Sequence, residues 1–246
     1  MALLKLAVNQ TAFLKAGAFG FPGSGKTYTA SHFAMELCKY IGKPKCSFYD
    51  TETGSDFMIP KFKAAEVELA VVKSRAFVDA CEFIRESEAT GYGVAIIDSI
   101  SHVWRELCDS YLKSKKAKRL SLPDWGYLKN EWGKFTDLYL TSKLHIIMLG
   151  RAGYEYEMSK DDDTGKWEAI KAGTKMKVES EFGFEPSLLF EMERVKAPGK
   201  KKGFAHKCTI LKDRADMLNG AEFLNPTFKD FQPIIDFLSI GGEHLT

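Results

Sequence analysis

Gly20-Phe-Pro-Gly-Ser-Gly-Lys-Thr27, followed by Tyr28-Thr-Ala30, is the stretch on which the reading of this chain turns. It fits the spacing G-x-x-x-x-G-K-[ST], in which backbone N–H groups curl around a phosphate and the lysine neutralises it. The flanks supply the required context. Leu14-Lys-Ala-Gly-Ala-Phe19 is a short apolar run suited to a strand. From Lys26 to about Tyr40, Phe33, Ala34, Leu37 and Cys38 recur at helical spacing, and Gly42 and Pro44 stop the pattern. Strand, glycine loop and helix in that order point the first N–H groups of the helix at an anion. The other reading, a glycine turn that merely caps a helix, is disfavoured by that strand and helix context. The set expected to touch a nucleotide is Gly20, Pro22, Gly23, Ser24, Gly25, Lys26, Thr27 and Tyr28, with the Thr27 hydroxyl on Mg²⁺.

Strands and helices alternate outward from this point. Cys46 to Asp50 reads as a second strand, Val67 to Val72 as a third, and Ala76 to about Ala89 as a helix. Val94-Ala-Ile-Ile97 is an unbroken apolar run, as expected of a central parallel strand covered on both faces. A helix follows it. Another starts around Pro123 with Trp125, Leu128, Trp132 and Phe135 along one side, and Leu144 to Leu149 forms a further central strand. The expectation is an α/β fold with a mainly parallel, doubly wound sheet flanked by helices. Beyond it, Tyr154 to Glu157 and Trp167 to Ile170 read as the arms of a hairpin around Asp161 to Gly165. Ser187 to Met192 and Ala205 to Leu211 flank the basic turn Lys196 to Gly203. No repeat or linker marks a boundary, so residues 1–246 are expected to form one domain with its core at about 14–235.

The 246 residues are 45% apolar, 13% aromatic and 28% charged, the profile of a globular chain. A net charge of +2, from 35 basic and 33 acidic side chains, leaves any attraction for nucleic acid to local clusters. The five cysteines show no CxxC pair, which favours reduced thiols over a disulfide frame or a zinc site. No apolar run is long enough to span a membrane, and a cytoplasmic protein without membrane contact is expected.

A phosphate-bound Mg²⁺ calls for a further carboxylate. Asp98, at the tip of the Val94-Ala-Ile-Ile strand, faces the crevice where open parallel sheets bind ligands; its alternative role is an N-cap before Ile100. Many ATPases carry a catalytic glutamate at the next position, but Ser99 stands there. The general base is therefore sought elsewhere. Glu52, in Phe48-Tyr-Asp-Thr-Glu-Thr-Gly54, follows another strand at the same edge. Its alternative is a solvated loop residue.

The glycine loop, the Asp50-x-Glu52 strand end and the apolar run ending Asp98-Ser99 together resemble the RecA-like core ATPases. Leu120-Ser-Leu-Pro-Asp-Trp-Gly126, His145 to Arg151, Gly173 to Lys177, Phe184 to Arg194 and Leu211-Lys-Asp-Arg214 are similar to phage-encoded AAA/RecA-type ATP-binding proteins, over about residues 14 to 235. The resemblance implies a RecA-like P-loop core that binds and hydrolyses ATP with Mg²⁺ in the cytoplasm of a bacterial host. Some members of that group are recombination mediators beside single-strand annealing proteins. It implies a homo-oligomer, ring or filament, in which Lys212 and Arg214 reach the γ-phosphate of the neighbouring subunit. Arg151 occupies the position of a γ-phosphate sensor, although RecA itself carries glutamine there. The plainer readings are a surface ion-pair turn for Lys212 and Arg214, and a pair with Glu155 or Glu157 for Arg151.

Single-stranded DNA is the partner expected by the same analogy, with a single-strand annealing or single-strand-binding protein beside it. Lys113, Lys115, Lys116, Lys118 and Arg119 form one basic segment, and Lys175 and Lys177 belong to a second, with Trp167 or Tyr154 as a stacking face. Such runs are also common as solvated surface. A nucleotide-dependent switch or loading factor without DNA affinity competes with this reading, as does a small-molecule P-loop kinase, for which the arginines are few and scattered.

Overall fold

The computed structural model describes residues 12–160, 166–199 and 203–238. Strand β1 (Lys15–Gly20) leads into helix α1 (Lys26–Tyr40). Then come β2 (Lys45–Asp50), α2 (Ile59–Ala64), β3 (Glu68–Lys73), α3 (Phe77–Ala89) and β4 (Val94–Asp98). Helices α4 (Ile100–Ser114) and α5 (Leu122–Thr141) precede β5 (His145–Lys160) and β6 (Trp167–Met176). Strands β7 (Leu188–Lys196), β8 (Phe204–Asp213) and β9 (Glu222–Leu224) and helix α6 (Gln232–Phe237) complete the chain. The sheet runs β3-β2-β4-β5-β1-β7-β8-β9, with β6 paired to β5 alone. Strands β3, β2, β4, β5, β1 and β7 are mutually parallel. The expected α/β class with a mainly parallel sheet is the one observed. The 187–192 segment departs from the expected pattern: it is a full member of the parallel core, beside β1, while β8 and β9 add antiparallel beyond it and β6 adds antiparallel to β5.

The apolar runs of β4 and β5 are continuous because both faces of the sheet are covered. Val94, Ile96, Ile147 and Leu149 pack on one side with Phe33, Leu37, Phe231 and Ile234. Ala95, Ile97, Ile146 and Met148 pack on the other with Phe83, Ile84, Trp132 and Phe135. Alternation along each strand thus divides one hydrophobic run between two cores. Each such side chain contributes about 1.5–3 kcal/mol when fully buried. On α5, Leu128, Trp132 and Phe135 lie in the core, whereas Trp125 is exposed, because it sits in the first turn, beyond the packed part of the helix. Among the described residues no helix is long and apolar enough to cross a membrane.

The basic 113–119 segment lies farther from the sheet than its place after β4 suggested. Helix α4 buries only Ile100 to Val103, so the segment stands at the far end of a helix about 22 Å long at 1.5 Å per residue. There the Lys115 ammonium pairs with Asp124, and the rings of Tyr111 and Tyr127 stack with centroids 4.7 Å apart. Lys115 therefore helps close the α4–α5 turn, while Lys113, Lys116, Lys118 and Arg119 are exposed.

Asp124 also completes a capping box with Ser121 at the start of α5. Ser121 N–H donates to Asp124 at 2.8 Å, and the Ser121 hydroxyl donates to it at 2.6 Å. Ser121→Ala should lower unfolding free energy by about 1 kcal/mol and leave nucleotide binding unchanged, as measured by urea titration and calorimetry; no change in stability would mean that α5 starts without this cap.

Candidate nucleotide site

Strand β1 lies between β5 and β7, and this crowding shapes the loop that follows. A Cβ on Gly20 would fall 2.1 Å from the Met192 carbonyl oxygen, so only glycine lets the chain leave the sheet there. Gly23 and Gly25 adopt φ of 75° and 89°, a region that L side chains avoid. Gly25 is the N-cap of α1. The outer side of the loop is braced by β8. His206 Nδ1 lies 3.0 Å from the Ser24 carbonyl oxygen, which can only accept, so Nδ1 is the donor. A Cβ on Gly25 would meet the same imidazole at 2.7 Å.

The loop opens on a cleft of about 760 Å³ lined by Gly20 to Gly23, Gly25 to Tyr28, Glu52, Asp98, Arg151 and Lys177. Lys26 Nζ curls back to the carbonyl oxygens of Gly20 at 2.9 Å and Phe21 at 3.2 Å. Burial lowers the pKa of its ammonium, opposed by Asp98 and Glu52. The Thr27 hydroxyl donates to Asp98 Oδ2 at 2.5 Å. Burial pushes the Asp98 carboxyl up to about 6, against that hydrogen bond. Gly54 closes over the pair: a Cβ there would lie 3.2 Å from Thr27 Cγ2 and 3.6 Å from Asp98 Oδ2. Asp98 does not cap α4, because Ser99 occupies the N-cap.

Glu52 reaches the cleft on a loop folded around Asp50. That carboxylate accepts from the N–H groups of Glu52 at 2.9 Å, Gly54 at 3.2 Å and Ser55 at 2.9 Å, and from the Ser55 hydroxyl. Burial alone would raise the Asp50 pKa, but these donors hold it below the ordinary value. Asp50 is thus a structural carboxylate that presents Glu52. In the sequence Asp50 stands in the Asp50-x-Glu52 pattern, and an aspartate closing a strand before Thr-Glu-Thr-Gly is itself a signal for side-chain-to-backbone bonds.

Arg151 pairs with Glu52, rather than with Glu155 or Glu157: Arg151 Nε donates to Glu52 Oε1 at 2.9 Å. Burial raises the Glu52 carboxyl, but the hydrogen bond and charge of Arg151 outweigh it and keep the pKa below normal. His102 is a further neighbour that sequence reasoning missed, with Nδ1 3.6 Å from Glu52 Oε1. Ser99 N–H donates to Thr51 Oγ1 at 2.8 Å, and the same hydroxyl shares a hydrogen bond with His102 Nδ1, 2.7 Å away. Burial and Arg151 both lower the His102 pKa, which favours the neutral imidazole.

Strand order explains these meetings. β2 and β5 flank β4, so residues just past their carboxyl ends converge over Asp98. Apart from Lys177, the remaining residues named from the sequence lie elsewhere. Lys175 pairs with Glu155 at 3.1 Å, while Lys177 lines the cleft. Lys212 Nζ and Arg214 Nη2 both donate to the Phe184 carbonyl oxygen, at 2.6 and 2.7 Å. They stand at the opposite edge of the sheet from the glycine loop: Asp213 pairs with Leu188 and Leu188 with Ala16, near the start of β1.

The donor set suits a phosphate and a hard cation: a glycine loop lining the cleft at the start of α1, one lysine held only by neutral oxygens, and a hydroxyl–carboxylate pair. Lys26→Ala should abolish uptake of a nucleoside triphosphate in calorimetry, and retained uptake would remove Lys26 from the site. Arg151→Ala should raise the Glu52 pKa, so the acidic limb of kcat/KM against pH should move to higher pH; an unmoved limb would dissociate that limb from the Glu52–Arg151 pair.

The sequence model of the AAA domain family matches residues 12–198, most of the chain. No curated protein matches at the level searched. Among solved structures, a KaiC-like protein from the hyperthermophilic archaeon Pyrococcus horikoshii OT3 superposes with a TM-score of 0.51 at 13% identity, covering 89% of this chain and 95% of that one. At that identity the likeness speaks for the fold alone, a RecA-like P-loop core. Sequence match and architecture agree, and the chain belongs to the AAA domain family.

Proposed function

We propose that the chain is a Mg²⁺-dependent ATPase that works as a homo-oligomer, ring or filament, on single-stranded DNA in phage recombination or replication, in a bacterial cytoplasm. The single observation that carries the ATPase reading is the convergence of Lys26, Thr27, Asp98, Glu52 and Arg151 over one edge of the sheet. Thr27 and Asp98 are suited to hold Mg²⁺, which when bound neutralises phosphate charge. Lys26 exchanges its carbonyl acceptors for phosphate oxygens, a stronger charge-assisted contact. Arg151 shifts from Glu52 towards the terminal phosphate. Glu52, kept ionised, then orients a water and accepts its proton, and ATP and water become ADP and phosphate.

Two features support the assembly reading. Lys212 and Arg214 sit at the far edge from their own glycine loop, so a phosphate contact by them requires a neighbouring subunit's site. Their hold on the Phe184 carbonyl is a pair of bonds to a neutral acceptor, which an anionic phosphate would outcompete. The DNA and phage setting, with a single-strand annealing or single-strand-binding protein as partner, rests on the sequence resemblance and on exposed cations such as Lys113, Lys116, Lys118 and Arg119.

Glu52→Gln should bind ATP and hydrolyse it at least about 100-fold more slowly, given what a positioned base contributes; normal turnover would move the base elsewhere. Mixing inactive Arg214→Ala with inactive Lys26→Ala should restore part of the activity, since mixed assemblies contain intact composite sites. Failure across all mixing ratios would remove the action in trans.

A further inference from the structure

Beyond Arg151, strand β5 leaves β1 and pairs only with β6, as a long antiparallel arm. At the root of this arm lies a second cavity of about 530 Å³, whose lining includes no residue of the glycine loop. Helices α3, α4 and α5 cover one face of the sheet over β2, β4 and β5. Phe19 of β1, Leu189 of β7 and Leu211 of β8 alternate with residues of the first core and so continue that face, yet none belongs to either hydrophobic core. They line the cavity instead, together with Trp104 of α4. Glycines make the room: a Cβ on Gly150 would fall 2.2 Å from Met176 Cγ, and one on Gly153 would fall 2.5 Å from Lys177 Cε. The cations around the space are not equally engaged. Arg151 is held by Glu52 and Lys175 by Glu155, whereas Arg105 and Lys177 form no ion pair among the described residues. The one carboxylate among the described lining residues, Glu179, is taken by Lys129 at 3.4 Å, the Ser180 hydroxyl at 2.8 Å and the Glu181 N–H at 2.7 Å.

We propose that this cavity is a second ligand site, for a small organic anion with an aromatic or branched apolar body and one carboxylate or sulfonate head. The body packs on Trp104, Leu189 and Leu211, and Arg105 and Lys177 hold the head. A volume in the range of small-ligand pockets, mainly apolar walls and a few polar groups are what such a site needs. Two cations without a carboxylate partner favour a charged head over a neutral one, because charge-assisted hydrogen bonds are roughly twice as strong. Arg151 and Lys177 line the nucleotide cleft as well. An anion in the cavity and a triphosphate in the cleft draw on the same cations, so each should weaken the other's binding by an equal factor. That coupling rests on the ATP-binding reading above; the cavity itself does not.

Titration of the full chain with anilinonaphthalene sulfonate, followed by the probe's fluorescence, tests the site. Arg105→Ala should weaken its binding about tenfold, as expected for one charged hydrogen bond. Leu211→Glu, at a position 48% exposed and outside both cores, should weaken it further by setting a carboxylate against the sulfonate. Phenylnaphthylamine, the same body without the sulfonate, should bind Arg105→Ala as it binds the wild type. Lys26→Ala should leave probe binding intact; a loss there would put the probe in the nucleotide cleft and overturn the proposal. Unchanged affinity in both Arg105→Ala and Leu211→Glu also overturns it. So does displacement of the probe by oligothymidylate, which would make the cavity part of a nucleic-acid surface. In parallel calorimetry, the probe and a non-hydrolysable ATP analogue with Mg²⁺ should weaken each other by the same factor, and joint binding with no mutual effect removes the coupling. Analogue uptake without probe binding sinks this site alone, and probe binding without analogue uptake sinks the ATPase reading alone.

Discussion

The hydrogen bond from Thr27 to Asp98 joins the first turn of α1 to the tip of β4, and the cleft is organised around it. Asp98 is almost fully buried, and a buried carboxylate is costly unless it is paired. Thr27 offsets part of that cost, and Lys26 stands close enough to oppose the upward shift of its pKa. What remains is a buried acid whose charge a divalent cation would satisfy better than either neighbour. The tight fit of Gly20 against β7 sets this up, because it fixes the direction in which the chain leaves the sheet.

Arg151 stands at the junction of two regions. It caps Glu52 in the nucleotide cleft, and it is the last β5 residue paired with β1 before the arm begins. It also lines a second cavity of about 530 Å³, with His102, Trp104, Arg105 and Lys175.

Much of the fold was legible in the sequence, for identifiable reasons. The β1, α1, β2 and β4 segments read correctly because a doubly covered parallel sheet demands continuous apolar strands, and a covered helix demands a 3.6-residue stripe. The 154–170 hairpin was visible in its alternation; its tip, Asp161 to Gly165, lies outside the described residues, as does the Lys200–Lys202 part of the second basic turn. Trp125 fit the helical stripe yet lies exposed, since periodicity cannot say where along a helix packing ends. The basic 113–119 run was readable as charge, but its distance from the sheet depends on α4, which is fully buried only over Ile100–Val103 and packs Trp104 and Leu107 partly against the core.

By itself the sequence determined the local chemistry: a glycine loop with phosphate-binding spacing, a strand tip that offers Asp98, and a hairpin of alternating aromatic and acidic residues. These follow from spacing within a few residues. Tertiary structure alone decided the partners. Arg151 meets Glu52 across 99 positions, and His206 meets Ser24 across 182. Strand order brings those segments together, and strand order is set by how two cores close around the sheet, which no short window of sequence encodes.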